Sequence, residues 1–157
     1  MILTDLGKTT TTLSASKKLD LATELRRGRK DVTLFMKGVC YDAVAFLLYL
    51  QGDGITTMEL EAISGKDWVS KFKFSSQWDG SSNIPEGKAI GFYRVIDDKT
   101  FHAAVAIGGT EIRAINGLHL GVSWLVPVNL KDVLTVKNPD GTFNYDGTKI
   151  RVYLSSI

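Results

Sequence analysis

The chain uses cysteine once, histidine twice and proline three times in 157 residues. One thiol cannot close an internal disulfide or build a thiolate zinc site, so the fold has to stand on its core. Two histidines without HxxxH or CxxC spacing supply too few matched ligands for a metal enzyme, so no metal and no cofactor is expected. "GDG" and "IGG" lack the strand-loop-helix context of a phosphate-binding loop. Long apolar runs are missing too. The longest, "AVAFLLYL", has eight residues, well short of a transmembrane helix. The start, "MILTDLGKTTTTLSASKKLD", lacks the basic-then-apolar order of a secretory signal. The expectation is a protein made in the cytoplasm without a classical signal peptide, or delivered to another cell by a specialised secretion route. A net charge of +2 leaves no nucleic-acid footprint.

What is present is ordinary globular composition, 44% apolar and 23% charged, which excludes disorder and suits a single domain over residues 1–157. Residues 1–16, rich in Thr and Ser, read as a flexible arm or linker stub. "ASKKLDLATELRRGRK" reads as a helix breaking at Gly28, its Arg and Lys residues a solvated helix end. "DVTLFMKG" is a brief extended segment. From Cys40 to Gln51 the residues are apolar nearly all round, which predicts a central buried helix ended by "QGDG". "TTMELEAISGKDWVSKF" predicts a second helix, with Thr56 or Thr57 as N-cap and a Glu at capping-box spacing. "SSQWDGSSNIPEGK" is a long polar loop of the kind that covers clefts.

The second half changes period. "KAIGFYRVID" and "TFHAAVAIGG" are strand-like, joined by the turn "DDKT"; "TEIRAIN", "VSWLVPVNL" and "TKIRVYLSSI" continue the pattern, with a tight turn at "NPDGTF". N-terminal helices followed by an antiparallel meander give an α+β fold, the cysteine-bearing helix packed on the sheet.

Three residues form the candidate chemistry. Cys40 opens the buried helix, where a thiolate is favoured if an imidazolium stands beside it; it is equally placed to be a small core residue. His102 leads a strand of small residues with room for an active-site helix, and is otherwise a satisfied strand histidine. If "IGGTE" is a hairpin turn, Asn116 returns to the level of His102 and can orient the imidazole; otherwise it is the first half of an Asn-Gly turn. Gln77 and Trp78 in the polar loop are candidate substrate contacts, Trp78 being alternatively a loop anchor. His119 is an alternative base or cleft residue, and Trp124 is assigned to the core.

The order of Cys-helix, His-strand and polar strand resembles the papain-like cysteine peptidase superfamily over about residues 33–128. "GVCYDAVAFLLYL" is similar to the cysteine helix of YopT-type effector proteases, and "PEGKAIGFYRV…FHAAVAIGG" to the NlpC/P60 and CHAP amidase pattern. The resemblance implies a papain-like fold and a bacterial effector or toxin. It makes Cys40 the nucleophile, His102 the base and acid, and Asn116 the orienting residue, with the Cys40 N–H in an oxyanion hole. The Asp-Cys-Ser-Gly signature is absent, and Thr33-Leu34 stand where papain enzymes place the oxyanion glutamine. The implied substrate is a protein or a peptidoglycan peptide, and the implied partner a cognate immunity or chaperone protein. Glutamine deamidation, transglutamination and a non-enzymatic binding module with a structural Cys40 are the competing readings.

Overall fold

A computed structural model covers residues 1–157. The chain begins with β1 (Ile2–Leu3), α1 (Asp5–Thr10) and α2 (Ala15–Arg26), then β2 (Met36–Lys37), α3 (Cys40–Gln51), α4 (Thr57–Ala62) and α5 (Trp68–Phe72). Strands β3 (Phe74–Gln77), β4 (Ala89–Arg94), β5 (Lys99–Gly108), β6 (Glu111–Arg113) and β7 (Val128–Asn129) follow. The short helix α6 (Leu130–Val133) and strands β8 (Phe143–Tyr145) and β9 (Thr148–Ser155) complete it. The architecture is α+β, helices against an antiparallel sheet. No helix is long and apolar enough to cross a membrane.

The expected arm at 1–16 is instead built into the fold. Thr4 caps α1 by accepting from the Gly7 N–H, and β1 pairs antiparallel with β2. The Thr hydroxyls that suggested a loose segment bond back onto helix carbonyls: Thr10 donates to Gly7 O and Thr11 to Lys8 O. The second predicted helix is two, α4 and α5. The capping box of Thr56 and Glu59 starts the first as expected, and Ile63, in extended conformation, ends it.

The sheet is not a simple meander. Its order is β3-β9-β4-β5-β6-β7, with β8 paired to β9. The closing strand therefore lies between β3 and β4, its Val152 opposite Phe92. Alternation cannot reveal this, because a strand's period sets its faces and not its neighbours. "VSWLVPVNL" contributes only Val128–Asn129 as strand, since Trp124 leaves the ladder to enter the core.

The apolar circumference predicted for α3 is matched by its surroundings: α2 on one side, α4 and α5 on another, and β5 beneath. Phe46, Leu47 and Leu48 are fully buried, each contributing on the order of 1.5–3 kcal/mol. What holds the start of α3 is Asp42. Val39 has no side chain able to cap, so the Asp42 carboxylate reaches back and accepts from the Val39 N–H at 2.8 Å. It also accepts from the Gly65 N–H at 3.0 Å and from Trp68 Nε1 at 3.1 Å. Gly38 is required beside it, because any Cβ there would overlap the carboxylate.

Asp42→Ala strands three donors in a buried site. We expect a loss of about 3 kcal/mol or more, and a smaller loss of about 2 kcal/mol for Asp42→Asn. Urea unfolding monitored by Trp fluorescence measures both, and equal losses would deny the carboxylate this role.

Candidate functional site

Cys40 is the first residue of α3, and the N–H groups of Cys40 and Tyr41 belong to the open helix end. Strand β5 passes directly beneath. Tyr41 donates its hydroxyl to Thr100 O at 3.3 Å, which ties the helix start to the start of the strand. Ala106 bonds toward Lys88, on the β4 side, so the alternate residues Val105 and Ala103 direct their backbone groups toward β6. Pairing with β6 stops at Val105–Arg113. Beyond that point β5 is covered by the start of α3, where Cys40 packs with Ala103 and Val105. Cys40 therefore sits at the edge of β5, beside the residue that immediately follows His102.

Burial dominates the thiol's ionisation and pushes its pKa above the ordinary value, and the Asp42 carboxylate adds to the rise. The N–H groups of Ala103, Tyr41 and Cys40 oppose it without winning. The resting group is a neutral thiol.

His102 leaves β5 on the other face. Ala103 and Val105 face the helices, whereas His102, opposite Phe92, joins the cluster that contains Phe92 and Leu120. Its ring stacks on Phe92 with centroids 5.4 Å apart. Nε2 lies 2.8 Å from Leu120 O. A carbonyl only accepts, so Nε2 carries the proton and Nδ1 keeps its lone pair. Burial pushes the imidazole pKa down to about 4, the Leu120 carbonyl opposing in part. The ring is neutral at physiological pH.

The remaining predicted residues are placed differently. Asn116 is exposed at φ 59°, its backbone N–H bonded to Val122 O, and no hydrogen bond joins its side chain to the imidazole. Leu120 O occupies the orienting position. Trp78 is buried, stacked on Phe143 at 5.6 Å with Nε1 donating to Ser82 O, and is a loop anchor rather than a substrate platform. Gln77 lies on β3, its amide donating to Gly141 O at 3.1 Å, with two strands between it and β5. His119 is exposed and meets Tyr145 edge-on at 6.3 Å. Trp124 is core, as assigned, with Nε1 donating to Leu25 O.

No family model and no curated protein matches the chain. The site's chemistry is therefore read from its own atoms. They amount to a neutral thiol on the helix face of β5 and a neutral imidazole on its opposite face, each almost fully covered. Neither residue lines any of five surface grooves. The groove beside Gly38 and Asp42, about 320 Å³, approaches the helix start from the β1–β2 side. No group of three or more His, Cys, Asp or Glu side chains is arranged to hold a metal ion.

Sequence reasoning missed Asp42, whose spacing three residues after Val39 is a readable cap signal. It also missed Leu120 O, for which no signal exists, since every residue carries a carbonyl.

The histidine couples folding to pH. Its folded pKa of about 4 lies below the unfolded 6.5, so the unfolded chain binds the proton first as pH falls. The stabilisation is complete above pH 6.5 and is lost between 6.5 and about 4. At 1.36 kcal/mol per pH unit the loss is about 3 kcal/mol. Denaturation at pH 7 and pH 4 should show this difference in the wild type and lose most of it in His102→Gln. An equal slope in both would assign the pH dependence elsewhere.

Proposed function

We propose that the protein is a cysteine-dependent hydrolase that cleaves a peptide or amide bond through a thioester, with Cys40 as nucleophile and His102 as base and acid. The observation that carries this reading is the packing of the start of α3 on β5, which sets Cys40 against the strand that bears His102. The imidazole is held by Nε2, which leaves Nδ1 available as the base. The papain-like superfamily resemblance, with its effector and toxin branch, belongs to the same proposal.

In this mechanism the starting pair is neutral. The Cys40 sulfur attacks the carbonyl carbon as its proton passes to Nδ1 of His102, a step that requires β5 to turn at residues 102–103, because the two side chains start on opposite faces of the sheet. The tetrahedral oxyanion is met by N–H groups at the open end of α3, an effect worth about 3–4 kcal/mol per donor. Collapse breaks the C–N bond, and the imidazolium gives its proton to the departing nitrogen. Water, deprotonated by Nδ1, then attacks the thioester, releasing the acid and restoring the thiol. When the departing nitrogen is ammonia from a glutamine side chain, the same steps are a deamidation. When an amine replaces water, they are a transglutamination. A protein or a peptidoglycan peptide is the substrate class, reached through export by a specialised route and kept harmless in the producing cell by an immunity or chaperone protein.

A second reading is favoured by one observation, the burial of both side chains. In it Cys40 is a core residue, His102 braces the sheet, and the protein is a binding module.

Alkylation separates the two. For the hydrolase, iodoacetamide should label folded Cys40 at pH 7, at a rate at least tenfold lower in His102→Ala. Because the imidazole pKa is already about 4, no step should occur near pH 6.5. Labelling that requires denaturant, or that ignores His102, would leave the binding module.

A further inference from the structure

We propose that the loop from Asn116 to Val122 is the positioning element of His102, with the backbone carbonyl of Leu120 taking the place of a third side chain and Gly117 the residue that lets the ring lie there. The inference rests on the hydrolase reading for its purpose but stands on separate contacts.

Gly117 packs flat against the imidazole. A Cβ built at this position would overlap both Cε1 and Nε2 of His102. Its own backbone, at φ −110° and ψ 22°, is open to any residue, so the glycine is not there for a turn. The ring alone excludes a side chain. Three residues later, Leu120 is fully buried and presents its carbonyl to Nε2 at 2.8 Å. One loop therefore supplies both the surface on which the ring lies and the acceptor that fixes its tautomer.

The loop bears a conformational cost on either side of that contact. Asn116 at φ 59° and Leu118 at φ 49° are both left-handed, and such a conformation costs an ordinary residue on the order of 1–2 kcal/mol. Leu118 is exposed, so no burial of its side chain offsets the strain. Backbone bonds keep the shape: Asn116 N–H to Val122 O at 3.0 Å, Gly117 N–H to Gly121 O at 2.8 Å, and Leu120 N–H to Gly117 O at 2.8 Å. The His119 ring, edge-on to Tyr145 at 6.3 Å, packs the loop against β8. A loop closed this tightly holds its carbonyl in one place, as an orienting group must.

The experiment combines nitrogen-15 NMR of the His102 ring with iodoacetamide labelling of folded Cys40. The expected wild-type ring is a single tautomer, protonated at Nε2 and bare at Nδ1. Asn116→Gly, which removes the amide without backbone strain, should leave that tautomer unchanged. Gly117→Ala should produce a mixture of tautomers and slow Cys40 labelling about tenfold. Removing the ring should abolish the effect of the added methyl, so the stability lost in Gly117→Ala should be recovered in Gly117→Ala/His102→Ala relative to His102→Ala alone. A wild-type ring protonated at Nδ1, a tautomer that depends on Asn116, or an alanine penalty undiminished without the ring would each overturn the assignment. Wild-type labelling that ignores His102, with the tautomer as expected, would remove the hydrolase and leave the positioning contact standing.

Discussion

The Asp42 carboxylate is the point on which the arrangement turns. One buried anion accepts from the N–H before α3, from the N–H of Gly65 and from the indole of Trp68. It joins the start of the central helix to the segment between α4 and α5. Without it, the helix would open on a valine that cannot cap and would lack a fixed first turn. Cys40 lies two residues before Asp42, so the same carboxylate that locates the thiol also opposes its ionisation. Location and reactivity are thus set against each other by a single group. Burial of each side chain, rather than this carboxylate alone, keeps Cys40 and His102 neutral.

The other end of the helical layer is held by a cation. Arg113 on β6 donates Nε to Arg26 O and Nη1 to Trp124 O, while the Trp124 indole donates to Leu25 O. The last carbonyls of α2 are therefore satisfied from the sheet, and Gly28 leaves room for the guanidinium. With α2 pinned in this way, α3 is confined between α2 and β5 and cannot slide along the strand. The register that brings Cys40 to Ala103 depends on both anchors.

Sequence patterns carried the helices well, because their signals are local. Residues 40–51 are apolar on nearly every face, so they had to be enclosed, and Gly52 at φ 76° ends them as the paired glycines implied. The Thr56–Glu59 box is legible for the same reason. The strands at 89–94 and 99–108 were legible as strands, whereas the insertion of β9 between β3 and β4 was not, since pairing partners are chosen by long-range packing. Trp78 shows the limit for side chains in a polar stretch: Asp79 and Ser82 mark a turn, but the depth to which the indole enters depends on Phe143, far along the chain.

From residues alone came the α+β class, a buried helix opened by the single cysteine, and the placing of His102 at the head of a strand of small residues. These follow from periodicity and residue size, properties the linear order contains. The tertiary structure alone decided that β6 leaves β5 beyond Val105, so that the start of α3 covers Ala103. It also decided that the imidazole is held by a carbonyl and not by Asn116. The reason is physical: the groups that settle both points are backbone N–H and C=O, identical at almost every position and distinguished only by where folding leaves them.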